Sequence, residues 1–447
     1  MNNPDIRIGI LSNNEIQFDL YGIFYENTTN KKFSGRLTAV LKDNEISLIQ
    51  NSQVIFSAEE ITLYPNDIDT ESFVLHNVTI GKEFHWEKKE RQRFRGTLKF
   101  IIENNFITAI NILPLEDYLV SVISSEMSAN CSLELLKAHS IISRSWVLAQ
   151  LEKSKNYSQS INEIITETEI IRWYQKNDHI NYDFCADDHC QRYQGISRII
   201  NDKVYEAVEL TRGLVLMYDN KICDTRFSKC CGGITESYEN VWEPERYHYL
   251  VPVYDYKFEK EGVAYDLTSE ENAESWLKTS PHAFCNTTNE KILSQVLNQY
   301  DQLNSISIEN NYFRWKVEYS QEELSDIIKS KTGFDFGYIK NLMPIERGYS
   351  GRIIRLKIEG TKKSLIIGKE LEIRRVLSRT HLYSSAFFVI KENIVDDIPQ
   401  KFILKGGGWG HGVGLCQIGA AVMSEMGYQF DEILSHYYKG AKIKKIY

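Results

Sequence analysis

No stretch of this chain stays apolar long enough to cross a membrane as a helix. No block of basic residues is present either, and the net charge is −9, so the electrostatic footprint of a nucleic-acid binder is missing. Met1-Asn2-Asn3-Pro4-Asp5 has no basic start and no apolar core behind it, so no secretory signal is visible and the cytoplasm stays open as a location. Internal repeats and low-complexity segments are absent. The eight cysteines do not form a disulfide scaffold: they are spread over 447 residues and two of them are adjacent. A reduced or metal-bound state is the more economical reading for several of them. What remains is ordinary globular composition, 42% apolar and 25% charged, in a chain long enough for two or three domains. Aromatics make up 12%, with 26 tyrosines; this suits stacking on sugar rings, and tyrosine in β-structure accounts for it equally well.

The periodicity changes once, sharply. From Asp5 to about Leu113 short alternating runs such as Ile6, Ile8, Ile10 and Ile16, Phe18, Leu20 predict strand after strand between Asn, Asp and Gly turns. Pro114 then suits a first helical position, and Leu115, Tyr118, Leu119, Val122 and Ile123 share one face of a helix ending near Ser125-Glu126. A second helix is expected from Ser132, as N-cap, to about Leu151. Residues 152–178 read as a polar excursion. Short strands are expected again at Ala207–Thr211, Leu214–Tyr218 and Ile222–Phe227. A mixed segment from about Tyr256 to Ser384 has candidate helices at Glu270–Lys278, Glu290–Gln302, Gln321–Lys329 and Glu370–Val376. Its candidate strands are Tyr312–Tyr319 and Arg352–Glu359. The chain closes with strands, a glycine-rich turn and a helix around Asp431–Tyr438.

Four groups carry chemistry. Glu126 sits at the expected helix end, where the negative pole of the helix favours the protonated carboxyl, the form a general acid needs. Its plain alternative is a solvated glutamate. Lys137, Ser140 and Arg144 fall on one polar stripe of the second helix, facing water, an anion or a site. A cation near Glu126 would oppose the dipole. His179, Cys185, His189 and Cys190 gather four ligands suited to tetrahedral zinc within twelve positions, with Cys230-Cys231 as a possible substitute; the alternative is a polar loop. Gly406 to Gln417, GGGWGHGVGLCQ, permits positive-φ backbone and close approach, but no Gly-Lys-Ser/Thr follows it, so it is not a phosphate loop. His411 and Cys416 within it can also be read as a Cys/His hydrolase pair.

Taken together, several motifs resemble the SpoIID/LytB family of stage II sporulation protein D lytic transglycosylases and amidase enhancers. They are Ile112-Leu113-Pro114-Leu115-Glu116-Asp117-Tyr118-Leu119, Ser125-Glu126-Met127, Leu136-Lys137-Ala138 and Ser143-Arg144. Cys230-Cys231-Gly232-Gly233-Ile234-Thr235-Glu236 with Val241-Trp242 resembles the family's S-S-G-G-x-T-E…V-W segment. Gly408 to Gly414 with Gln417 and Gly419-Ala420 resembles its closing G-x-G-H-G-V-G-M-S-Q-x-G-A. The resemblance implies cleavage of the MurNAc–GlcNAc bond of peptidoglycan without water, leaving 1,6-anhydro ends. It puts the acid/base role on Glu126, substrate contacts on Lys137, Arg144, Thr235, His411 and Gln417, and zinc on His179, Cys185, His189 and Cys190. Ser124 replaces the usual proline, His139 the usual glutamine of K-A-Q, and Cys230, Cys231 and Cys416 the usual serines.

The expected architecture is therefore α+β, two-lobed and β-rich, with a catalytic helix pair and a cleft between lobes. The expected divisions are a β-rich region over 1–95, a SpoIID-like core over 96–255, an inserted mixed lobe over 256–384, and a glycine-rich motif and helix over 385–447 that return to the core. The expected function is a peptidoglycan lytic transglycosylase. A non-catalytic amidase enhancer is the alternative, and the Cys416/His411 hydrolase a third reading. The expected partners are glycan strands, denuded or not of stem peptides, and an N-acetylmuramoyl-L-alanine amidase. The substrate implies the cell envelope or the outside of the cell.

Overall fold

Alternating burial along Asp5–Asn13, Glu15–Glu26 and the strands that follow produces a sheet with one apolar face, as the period-two pattern requires. The computed structural model describes residues 3–81, 87–128, 131–155, 163–174, 179–187, 189–199, 202–257, 266–297 and 312–447. Among the described residues there are nine α-helices and 24 strands, an α+β and β-rich fold as expected. Among them, no helix is long and apolar enough to cross a membrane. All eight cysteines are free. The chain divides into two compact units, each taken by itself below.

The first unit comprises the described parts of 1–129, 176–214 and 445–447. Its 11-stranded sheet runs Phe184–Cys185, Asp5–Asn13, Phe106–Pro114, Thr97–Glu103, Ile61–Pro65, Glu15–Glu26, Lys32–Lys42, Glu45–Gln50, Gln53–Ala58, with Ser72–Ile80 and Lys88–Phe94 attached through Glu15–Glu26. Two-residue turns such as Asp43-Asn44 and Asn104-Asn105 join neighbours. Both residues of each adopt positive φ, which Asn and Asp tolerate and which matches the strand twist. Inward aromatics fill the core, Phe18 against Phe100 (ring centroids 5.1 Å) and Phe24 against Phe73 (6.3 Å). Thr97–Glu103 and Phe106–Pro114 pair with Ile61–Pro65 and Asp5–Asn13, so the sheet runs across the expected division at 95/96.

The strand Phe106–Pro114 passes directly into helix α1 (Leu115–Glu126). Pro114 is its N-cap, one position earlier than expected, and Leu115 N–H donates to Pro4 O at 2.8 Å. Glu116 and Asp117 lie in the first turn, where the helix dipole favours acids. A correction falls at 207–211. Asp202–Leu210 is a helix burying Val204, Ala207 and Val208, positions spaced three and four apart that the strand reading overlooked.

The second unit comprises the described parts of 130–175 and 215–444. Helix α2 (Leu133–Lys155) starts as expected, with the Ser132 hydroxyl accepting from Leu135 N–H at 3.2 Å, and runs four residues beyond Leu151. The polar excursion contributes two strands, Glu163–Ile165 and Glu169–Arg172, to a sheet with Ser364–Gly368, Ile353–Gly360 and Ile339–Arg347. A three-stranded sheet of Arg314–Ser320, Ile398–Gly407 and Phe387–Val395 crosses the expected division at 384/385. Both sheets and the Gln321–Thr332 helix share a core that includes Trp315, Leu324, Ile328, Leu356, Phe402 and Leu404. The Glu290 helix ends at Val296, and residues 298–302 of the expected helix lie outside the described residues. Gln417–Glu425 is an unexpected helix, rich in small residues.

Candidate functional site

In the first unit, α1 delivers Glu126 to its C-terminal end, where the residue is 8% exposed. Arg192 N–H donates to Glu126 Oε1 at 3.3 Å. That amide belongs to the segment that also carries Cys185, His189 and Cys190, and aromatic packing ties this segment to α1. Tyr118 stacks on Tyr193 (5.3 Å, 19°) and on Phe184 (6.2 Å, 27°), and Tyr193 in turn donates to Asn111 Oδ1. Tyr193 N–H donates to Ala186 O, and Ser121 Oγ–H to Gly195 O at 2.8 Å. One turn of α1 therefore holds the loop, and the loop holds the carboxylate.

The four expected metal ligands come together: one ligand atom from each of His179, Cys185, His189 and Cys190 lies within 4.8 Å of the others. Cys190 Sγ is 3.7 Å from His179 Nε2 and 3.6 Å from His189 Nδ1, and Cys185 Sγ is 3.9 Å from His189 Nδ1. A tetrahedral zinc ion with ordinary bond lengths sets sulfur–nitrogen edges of about 3.6 Å, so the donors fit such an ion. Contacts to Cys190, His179 and His189 push the Cys185 thiol below its ordinary pKa against the opposing effect of burial, the direction that favours the ligating thiolate. The sheet fixes the site from behind. Ile8 and Gly9 pair in parallel with Phe184 and Cys185, Ala186 N–H donates to Gly9 O, and Arg7 grips Asp183. Gly9 is required by space: a Cβ there would lie 2.6 Å from the ring of Tyr182, which stacks on His179 at 4.7 Å.

The remaining expected residues lie in the second unit. Lys137 pairs with Glu134 at 2.7 Å and sits 5.7 Å from the Phe430 ring centroid. Arg144 is wholly buried in α2, so the expected polar stripe faces protein at that point. Thr235 is buried, its Oγ accepting from Val253 N–H (2.7 Å) and donating to Val251 O. His411 Nε2–H donates to Phe227 O (2.8 Å) and its Nδ1 accepts from Val413 N–H (3.0 Å), which fixes one neutral tautomer. Burial, with Arg226, Arg374 and Arg352 nearby, pushes its pKa well down. With both nitrogens on backbone groups, the imidazole has none to offer Cys416, and the hydrolase pair loses its base.

The Gln417 amide, like the Lys137 ammonium, faces a side chain. Gln417 Nε2 lies 3.0 Å from His139 Nε2, while His139 Nδ1 meets Ser143 Oγ at 3.3 Å and its ring packs edge-on against Phe227. Burial, and Lys229 to a lesser degree, pushes the His139 pKa down to about 3, so this imidazole is neutral and accepts the amide hydrogen. Sequence reasoning missed His139 as a partner, although its place in the expected K-A-Q position was visible. The Arg192 amide gave no sequence signal, because a backbone N–H is carried by any residue. Cys230 and Cys231, weighed as substitutes for a first-cluster ligand, belong to the second unit, where Cys231 Sγ lies 3.6 Å from Cys285 Sγ.

Known proteins define the class at this point. Residues 103–218 match the family described as Stage II sporulation protein, and residues 236–414 match a domain of unknown function, DUF8618. With the relatives that follow, the first match makes the chain similar to the SpoIID/LytB family. It is 24% identical over 417 residues to an uncharacterized protein of Brachyspira hyodysenteriae, covering 93% of this chain and 86% of that one. It is 22% identical over 337 residues to Stage II sporulation protein D of Bacillus amyloliquefaciens, covering 75% and 76%. The amidase enhancer of Bacillus subtilis is 24% identical over 333 residues, which is 73% of this chain but 40% of that protein.

Proposed function

We propose that the protein acts on the bacterial cell wall as a peptidoglycan lytic transglycosylase with Glu126 as its single acid/base. The observation that carries this reading is the placement of Glu126: a nearly buried carboxyl group at the end of α1, with the Arg192 amide on Oε1. In the protonated state Glu126 donates its proton to the bridging oxygen of the MurNAc–GlcNAc bond as the C1–O bond breaks. The resulting carboxylate then takes the proton of the MurNAc C6 hydroxyl while that oxygen bonds to C1. The net change is one glycosidic bond exchanged for a 1,6-anhydro ring, with no water consumed and the carboxyl group returned to its starting state. One carboxyl group suffices because the sugar supplies its own nucleophile, whereas hydrolytic glycosidases use a pair.

The family motif assigns Lys137, Arg144 and Gln417 to substrate; of these Lys137 alone is partly exposed, whereas Arg144 and Gln417 are 0–1% exposed and act within the second unit's interior. Thr235 and His411 are both engaged with backbone groups. Zinc at His179, Cys185, His189 and Cys190 would supply cross-linking, since four protein ligands leave no open coordination position. The loop so ordered is the one that presents the Arg192 amide to Glu126. A peptidoglycan substrate lies outside the cytoplasm, so this reading implies the cell envelope or the outside of the cell. A second reading, a glycan-binding enhancer of an N-acetylmuramoyl-L-alanine amidase, is favoured by the relative that bears the name amidase enhancer.

Mass spectrometry of products from denuded glycan strands tests both readings. Wild type is expected to release anhydro-disaccharides. Glu126→Gln keeps an acceptor for the Arg192 amide but carries no transferable proton, and is expected to lose about 10²–10⁴-fold in rate. Wild type and variant that bind glycan and are equally inert would sink the enzyme reading and leave the enhancer.

A further inference from the structure

A second set of metal-ligating side chains lies in the second unit and takes no part in the chemistry above. Cys231, Asp255, Cys285 and Cys416 are 0–2% exposed, and one ligand atom from each lies within 4.8 Å of the others. Cys231 Sγ is 3.6 Å from Cys285 Sγ and 3.4 Å from Asp255 Oδ2. A single tetrahedral zinc ion sets edges of about 3.8 Å between two sulfurs and about 3.6 Å between sulfur and carboxylate oxygen. The observed spacings match a mononuclear site. A [4Fe–4S] cluster, whose cysteines each bind a separate iron atom, would hold its sulfurs farther apart.

Buried cysteines can also pack as small apolar groups. Asp255 argues against that here. It is 0% exposed and takes Tyr437 Oη–H on Oδ1 (2.6 Å) and Cys285 N–H on Oδ2 (3.0 Å). Among the described residues no basic side chain pairs with it. A carboxylate taken this far from water without a counter-charge is costly, and a bound cation supplies one. Backbone amides are arranged for sulfur anions as well. Cys231 N–H points at Cys416 Sγ (3.2 Å), Gly419 N–H at the same sulfur (3.5 Å) and Gly233 N–H at Cys231 Sγ (3.4 Å). Cys416 is also the N-cap of the Gln417–Glu425 helix, whose positive end favours a thiolate. Cys231 and Cys416 stand where the related motifs have serine, so the donor set is built from changes in two separate motifs plus Cys285 and Asp255.

We propose that Cys231, Cys285, Cys416 and Asp255 form a structural zinc site separate from the His179–Cys190 cluster. The ion would tie together four segments distant in sequence. It would anchor the glycine-rich stretch, which already pairs Trp409 with Cys230 and Val413 with Glu236, to the Cys230–Glu236 turn. Gln417, next to Cys416, is thereby held facing His139.

Metal counting on the full chain, refolded or purified under reductant with zinc present, tests the proposal. Wild type is expected to hold about two zinc ions by native and plasma mass spectrometry, and Cys185→Ala/Cys190→Ala about one. Adding Cys285→Ala is expected to bring the content near zero with unchanged far-UV circular dichroism. If that triple variant does not fold, cobalt loading of the double variant decides, with a thiolate-to-cobalt charge-transfer band expected. Wild type with one ion and the double variant with none would overturn this site and leave the first cluster standing. Wild type with none would overturn both. A mass deficit of two hydrogens from a Cys231–Cys285 disulfide, or no charge-transfer band, would also overturn it.

Discussion

Gly9→Ala offers a clean perturbation of the first cluster, because the glycine is needed for space and not for backbone freedom. A Cβ at this position would meet three ring carbons of Tyr182 at 2.6, 2.6 and 2.9 Å. Ordinary carbon–carbon contact begins near 3.5 Å, so the ring must retreat by about 1 Å. Tyr182 stacks on His179 with centroids 4.7 Å apart and planes 28° apart, so the imidazole moves with it or loses its backing. His179 Nε2 is 3.7 Å from Cys190 Sγ, and metal–ligand distances tolerate only about 0.2 Å. A shift several times that tolerance weakens one ligand of four without removing it. Loss of support behind a ligand typically costs about 10–100-fold in metal affinity, and that is the expected effect. Competition with a chromophoric chelator measures it directly. The second unit, which holds none of these residues, should keep its thermal transition. Zinc affinity unchanged within error in a folded Gly9→Ala protein would refute the chain from Gly9 through Tyr182 to His179.

Three further outcomes are expected. The His139 imidazole, held neutral down to about pH 3 against an ordinary value of 6.5, binds its proton only when the chain unfolds, so stability falls as pH drops below 6.5 and levels off near 3. Denaturant titrations should show about 1.4 kcal/mol lost per pH unit from this group between those limits. His139→Gln, which restores an amide opposite Gln417, should flatten the slope by that amount, and an unchanged slope would contradict the assignment. Tyr193→Phe removes the hydrogen bond to buried Asn111 Oδ1 and should cost about 1–3 kcal/mol by urea unfolding, while Tyr205→Phe on the exposed surface should cost nothing measurable. Thermal shift with a zinc chelator should lower the transition of wild type more than that of Cys185→Ala/Cys190→Ala, and equal shifts would detach the first cluster from stability.

Local pattern made the β-rich start, α1 with its proline entry, the Ser132 cap of α2 and the clustering of His179, Cys185, His189 and Cys190 legible, because periodicity, capping and short-range side-chain spacing act within a dozen residues. Domain limits were poorly legible. The sheet that unites Asp5–Asn13 with Phe106–Pro114 pairs residues about a hundred positions apart, and no composition shift marks such pairing. The Asp202–Leu210 helix was misread because its three buried positions are flanked by residues that suit strands equally well.

By itself, then, the sequence determined which residue types are present to do chemistry and which motif each belongs to. Tertiary structure alone decided which atoms face which. It put the Arg192 amide on Glu126, committed both nitrogens of His411 to backbone, turned Gln417 toward His139, and gathered Cys231, Asp255, Cys285 and Cys416 from four distant segments into one buried donor set. The physical reason is the range of the interactions: side-chain identity is written locally, whereas coordination and hydrogen-bond geometry are set within a few ångströms in space, across separations that the chain order does not encode.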